Sequence, residues 1–305
     1  MCLIFYFGAI LVQENKITIG TLFALTTYIG YIARPIQSIV QNFAQLKTIN
    51  VTENRIKEVL QRPDILDDTN SNLYSSNLEY NQIKFNNVNL TIGNNQILKD
   101  ISLFIKEGEF VVMTGVSGSG KTSILNLLAK LVNPTSGEIL INNTNIESLN
   151  HTDYYSNIKY VFQDSNFIQG SLIENMFIDE TEIDKVRLLE ELLIIFELDF
   201  LSGNLNYLIE NQGANLSGGQ KQRLNVIRAL LCNPSILLLD EVTSGLDSEM
   251  ALKIITNIKE MRKDKITILI SHDPNIIKLV NNVIFVKDGE IERYNENELN
   301  LQTIN

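Results

Sequence analysis

A short apolar run, Phe110-Val111-Val112-Met113-Thr114, passes directly into Gly115-Val116-Ser117-Gly118-Ser119-Gly120-Lys121-Thr122. An apolar-periodic stretch, residues 123–132, follows until Asn133-Pro134 stops it. Strand, glycine loop and helix in immediate succession confine such a chain to an α/β architecture, because the loop matches the G-x-x-x-x-G-K-[ST] spacing without deviation. Glycines let the backbone wrap a polyphosphate with its N–H groups inward, at a helix start whose dipole favours anions. Lys121 sets a cation against the β- and γ-phosphates, and the Thr122 hydroxyl can ligate Mg²⁺.

Two further elements extend that chemistry. The apolar run Ile236-Leu237-Leu238-Leu239 ends in Asp240-Glu241, at the carboxyl end of a strand, where open α/β sheets place their ligands. Asp240 suits the hydration shell of Mg²⁺. Strand alternation turns Glu241 elsewhere, towards a terminal phosphate. Between the loop and this pair lies Leu216-Ser217-Gly218-Gly219-Gln220, followed by a helix with Leu224, Ile227 and Leu231 on one face. Ser217 is a good N-cap type and the glycines allow close approach, so this helix start is a second anion site.

Composition narrows the partners. A formal net charge of -11, with no Lys/Arg block longer than two residues, disfavours nucleic acid, which calls for a basic face. Cys2 and Cys232 form no disulfide or metal framework. Residues 1–12 carry no charge, and neither do residues 17–33. The first stretch lacks the basic region and cleavage site of a signal peptide, and at about 18 Å it is short of the ~30 Å hydrocarbon core. The second, continued past Arg34-Pro35 to residue 43, is long enough to cross; a pair of amphipathic helices on a soluble core is the competing reading.

Along the rest of the chain, residues 51–61 read as a helix stopped by Pro63. The Asp-, Asn- and Ser-rich residues 64–81 read as a linker. Two β-rich runs, 83–90 and 97–105, flank a Gly93-Asn94-Asn95 turn. Short strands follow at 138–141, 159–162, 236–239, 266–270 and 283–286, and their alternation with helices implies a largely parallel sheet covered on both faces. Residues 171–231 break the alternation and are assigned mostly to an inserted helical subdomain.

The three motifs, in this order, resemble the ATP-binding cassette (ABC) ATPases from about residue 83 onward, and more weakly back to residue 1. The resemblance implies a P-loop NTPase core of α/β class, with a mostly parallel sheet, an antiparallel β subdomain, a helical subdomain and an N-terminal helical membrane fragment. Residues 1–62 would be the end of an exporter's membrane domain, 63–82 a linker and 83–305 the ATPase, in a truncated, split or fragmentary chain. ATP and Mg²⁺ are the implied cofactors. Gly115 through Ser123 would bind ATP, with Thr122, Asp240 and Gln163 at the Mg²⁺. Glu241, His272 and Lys121 would be catalytic, Glu241 orienting the attacking water and His272 contacting the γ-phosphate. Leu216 through Gln220 would reach the nucleotide of a second cassette, in a homodimer or paired half-transporter. Ser244-Gly245-Leu246-Asp247 would link the two sites, and residues 209–213 loosely match an exporter-specific contact segment. His151 has no role.

One position departs from the family pattern. Where members carry an aromatic side chain that stacks on adenine, this alignment places Ile92. The leading expectation is the ATPase of a membrane exporter at a bacterial-type cell membrane, its ATPase facing the cytoplasm and its cargo a peptide, lipid or drug. A soluble non-transport ABC ATPase and a remnant without transport activity are the alternatives.

Overall fold

Helices α1 (Cys2–Gln13) and α2 (Ile19–Leu60) form the first of two compact units in the computed structural model, which describes residues 2–60, 79–164, 166–177 and 182–295. They pack where α1 has no side chain: a Cβ at Gly8 would lie 2.2 Å from Leu22 Cδ1. Helix α2 runs 42 residues with Pro35 inside it. Residues 51–60, read from sequence as a separate helix, are therefore its last turns. Proline removes one main-chain donor, and the helix absorbs the loss. Among the described residues no helix is long and apolar enough to cross a membrane, contrary to the expectation for residues 17–43. Gly20, Thr21, Thr26, Thr27, Tyr28, Gly30 and Tyr31 dilute the run before Arg34-Pro35 interrupts it. The expected linker falls outside the described residues except at 79–82.

The second unit opens with an antiparallel hairpin, β1 (Gln82–Ile92) and β2 (Asn95–Lys106), closed at the pair Ile92–Asn95. Strand β3 (Phe110–Thr114) feeds the glycine loop, and α3 (Lys121–Leu128) leaves it. Strand β4 (Ser136–Ile141) then pairs antiparallel with β1, and β5 (Thr144–Asn145) completes a sheet of order β2-β1-β4-β5. The sequence alternation had suggested β4 for the parallel sheet. Its own pattern explains the difference: Ile139 and Ile141 are buried while Glu138 is exposed and accepts from Asn86 at 2.9 Å, the half-buried alternation of an antiparallel strand.

Helix α4 (His151–Asn157) leads into β6 (Ile158–Val161). The helical subdomain follows: β7 (Gly170–Ser171), α5 (Leu172–Met176), α6 (Ile183–Ile195), β8 (Leu208–Ile209) and α7 (Gly218–Leu231). The chain then alternates through β9 (Ile236–Asp240), α8 (Ser248–Met261), β10 (Ile266–Ile270), α9 (Pro274–Ile277), β11 (Asn282–Lys287) and β12 (Glu290–Asn295). The main sheet has order β12-β11-β3-β10-β9-β6, parallel except for β12.

Strands β9 and β10 are buried at every position, as sheets covered on both faces require. Their alternation sorts side chains into two cores. Val112, Leu237, Leu239 and Leu269 meet the helical side. Val111, Met113, Leu238 and Ile268 meet α3 and the antiparallel sheet. The parallel strands thereby bring their carboxyl ends to one edge.

Candidate active site

The glycine loop can be built only where backbone is allowed very close. Gly115 adopts φ +139, and a Cβ there would lie 2.0 Å from the Val286 carbonyl oxygen of β11. Gly120 adopts φ +107, and a Cβ would lie 2.6 Å from Leu98 Cδ2. The loop is thus wedged between β11 and β2, with Gly289 donating its N–H to the Ser119 carbonyl at 3.2 Å. Val116, Ser117 and Gly118 are exposed at its rim. Lys121 is buried, and its Nζ donates to the carbonyls of Gly115 and Val116, both at 2.9 Å. Burial pulls its pKa below the ordinary lysine value, with the charges of Glu241 and then Asp240 acting the other way. Among the described residues, Ser119 Oγ is buried without a hydrogen-bond partner. A polar atom so enclosed costs free energy unless a partner arrives, which fits a loop shaped for phosphate oxygens. Ser123 is half-buried in the first turn of α3.

Across the sheet edge, Asp240 ends β9 and Glu241 follows it. Thr122 Oγ1 lies 3.5 Å from Asp240 Oδ1, and the Tyr160 hydroxyl donates to Asp240 Oδ2 at 3.0 Å. A hydroxyl and a carboxylate this close are a hard oxygen pair. Mg²⁺ is characteristically held by one or two such groups together with waters and substrate phosphates, so the residues fit that ion. Among the described residues no cluster of three His, Cys, Asp or Glu side chains offers an all-protein metal cage.

Glu241 leaves the strand with φ +49, a left-handed conformation uncommon outside glycine and found at functional sites. Its N–H still donates to the Ile270 carbonyl at 3.2 Å. Its carboxylate lies between two side chains: Gln163 Nε2 donates to Oε2 at 3.0 Å, and His272 Nε2 lies 3.6 Å from Oε1. Burial lowers the His272 pKa, the Lys121 charge lowers it further, and Glu241 opposes both. Gln163 follows β6 and His272 follows β10, so both are delivered by the same sheet edge. The sequence had placed Gln163 at the metal; in this structure it contacts Glu241.

At the helix start read from sequence as a second anion site, the structure forms a capped helix N-terminus. Ser217 Oγ accepts from the Gln220 N–H at 3.2 Å, and Gln220 Oε1 accepts from the Ser217 N–H at 2.8 Å, a reciprocal cap. Leu216 is buried in the helical-side core, while Ser217 and Gly218 are exposed. Gly219 lies against the segment at 244–247, where a Cβ would come within 2.8 Å of Leu246 Cδ2. Gln222, which the sequence reading passed over, joins the two: it donates to Ser244 Oγ and accepts from the Gly245 N–H, both at 3.2 Å. Asp247 caps α8 through the Met250 N–H at 3.0 Å. Ile92, at the end of β1, is exposed. Residues 209–213 bend through Gln212 at φ +56. His151 stacks against Tyr155, and Cys232 is a free thiol.

The family described as ABC transporter matches residues 98–244, the span from β2 to Ser244. A β-(1→2)glucan export ATP-binding/permease protein of Agrobacterium fabrum is 31% identical over 301 residues, covering 95% of this chain and 50% of that protein. A lactococcin transport/processing ATP-binding protein of Lactococcus lactis is 31% identical over 297 residues, covering 95% and 40%. A leukotoxin translocation ATP-binding protein of a Pasteurella haemolytica-like strain is 30% identical over 304 residues, covering 96% and 42%. The chain thus spans half the length, or less, of these relatives. The fold is similar to that of a solved bacterial Atm1-family ABC exporter with ATP bound, at TM-score 0.73 and 24% identity, covering 94% of this chain and 51% of that one. Residues 98–244 of this chain are thus an ABC transporter domain.

Proposed function

We propose that this chain is the ATP-binding and ATP-hydrolysing part of an ABC-type exporter, coupling nucleotide-driven pairing of two cassettes to transport across a membrane. The observation that carries the reading is the convergence of the glycine loop, Asp240, Glu241, Gln163 and His272 on one sheet edge. The loop's N–H groups and Lys121 bind the phosphates. Thr122 and Asp240 would hold Mg²⁺, which would supply positive charge to the phosphates. Glu241 orients a water and takes its proton as the water oxygen bonds to the γ-phosphorus. The bond to the β-phosphate oxygen breaks, releasing phosphate and ADP. Gln163 holds the Glu241 carboxylate for that task, with His272 beside its other oxygen. The capped helix start at Ser217, with Gly218 and Gly219, reaches the γ-phosphate held by a second cassette, and the segment at 244–247 joins the two sites.

The export reading draws support from the relatives, whose names describe export of a glucan, transport of lactococcin and translocation of a leukotoxin. It also draws on the N-terminal unit, where Phe5, Phe7, Phe23, Tyr28 and Ile32 are exposed on α1 and α2. Exposed apolar side chains in such number mark a surface that other elements or lipid cover. In this reading residues 1–62 are the end of a membrane domain, and the ATPase unit faces the cytoplasm of a bacterial-type cell. The test is phosphate release from ATP by the full chain in detergent, with and without Mg²⁺. Release that depends on Mg²⁺ supports the proposal; none under either condition contradicts it.

A further inference from the structure

Tyr160, whose hydroxyl hydrogen-bonds Asp240, lies outside the motifs that define the site. Tyr160 sits on β6, paired with Leu238 of β9, so it shares a sheet face with Leu238 and with Asp240 two residues further on. Its ring lies 4.1 Å from that of Phe162, centroid to centroid, and packs on the core beneath α3. From that anchored ring the hydroxyl reaches Asp240 Oδ2 at 3.0 Å and leaves Oδ1 facing Thr122. The carboxylate is therefore oriented by two oxygens on two sides. Only one of them, Thr122, belongs to the phosphate loop. The hydroxyl serves as the donor to this carboxylate.

We infer that Tyr160 is a positioning residue for the divalent cation, holding Asp240 by Oδ2 so that Oδ1 is presented towards the Thr122 hydroxyl. Partners that orient a metal-binding carboxylate typically change metal affinity about 10- to 100-fold when removed. The inference rests on the proposed Mg²⁺-dependent ATPase reading and adds a residue to it.

The experiment compares the full-length wild type with Tyr160→Phe, which removes one hydroxyl from a half-buried side chain on the edge strand. Thermal melts check that both are folded. Free Mn²⁺ is followed by electron paramagnetic resonance as it binds in the presence of a non-hydrolysable ATP analogue, and analogue binding is measured separately without metal. Tyr160→Phe is expected to weaken Mn²⁺ binding about tenfold and leave metal-free analogue binding unchanged. The Mg²⁺ concentration for half-maximal hydrolysis should rise in step, with activity recovering at high Mg²⁺. Unchanged Mn²⁺ binding overturns the inference, as does an equal loss of metal-free binding, since that marks a purely structural role. A wild type that binds metal and analogue yet never hydrolyses ATP refutes the ATPase reading instead.

Discussion

Gln163 and Glu241 lie 78 positions apart in sequence, yet Gln163 Nε2 donates to Glu241 Oε2 at 3.0 Å. The bond ties the loop after β6 to the residue after β9. With His272 3.6 Å away on the other carboxylate oxygen, it fixes the side chain on which hydrolysis is proposed to depend. A carboxylate held at one oxygen by Gln163, with an imidazole beside the other, is pre-oriented, and pre-orientation is what a general base contributes before proton transfer.

The histidine in this arrangement makes a pH prediction with a definite sign. Burial and the Lys121 charge lower its pKa, and Glu241 raises it less. Its folded pKa therefore lies below the ordinary value of about 6.5. The folded chain binds fewer protons there than the unfolded one, so the group's contribution to stability falls as pH drops from about 6.5 through the folded pKa. The chain has only two histidines, and a His272→Gln spectrum assigns them. Histidine ring NMR should give a midpoint below 6.5, lowered further by Glu241→Gln and raised by Lys121→Met. A wild-type midpoint at or above 6.5 contradicts the geometry.

Lys121 is expected to act on binding. Losing a charge-assisted contact costs about 1.5–3 kcal/mol, so Lys121→Ala should weaken ATP binding about 10- to 100-fold. Calorimetric titration with ATP and with adenosine separates the effects: ATP binding should fall, and adenosine binding should not. Equal losses would place the lysine's role in folding.

Ile92 leads to a gain-of-function prediction. An exposed isoleucine offers no ring to stack on a base, and an aromatic contact adds about 1 kcal/mol. Ile92→Tyr should therefore tighten ATP binding about fivefold and widen its preference over other nucleoside triphosphates. Unchanged affinity would show that the base does not reach the end of β1.

What the sequence made legible was whatever depends on neighbouring residues. The glycine loop, the Ser217 cap and the carboxylates after β9 are each built within one short stretch, and the structure forms each of them. Relationships between distant strands were not legible. A tyrosine in an apolar run gives no sign that its hydroxyl meets Asp240, 80 positions away. Gln222 reads as one more polar helix residue until it is seen binding Ser244 and Gly245. The run at 138–141 could join either sheet, and the choice was made by pairing with β1. In the N-terminal run, counting charges ignored how far threonine, glycine and tyrosine reduce its apolarity, and among the described residues no helix there is long and apolar enough to cross a membrane.

The most direct measurement is Mg²⁺-ATP-dependent assembly of the Glu241→Gln chain, followed by light scattering alongside its turnover. Removing the base while keeping the side chain's shape should lower turnover at least ~100-fold and leave ATP trapped, so the variant should be a dimer of cassettes with nucleotide and a monomer without it. Turnover near the wild-type rate, or a variant that stays monomeric with ATP bound, would contradict the account.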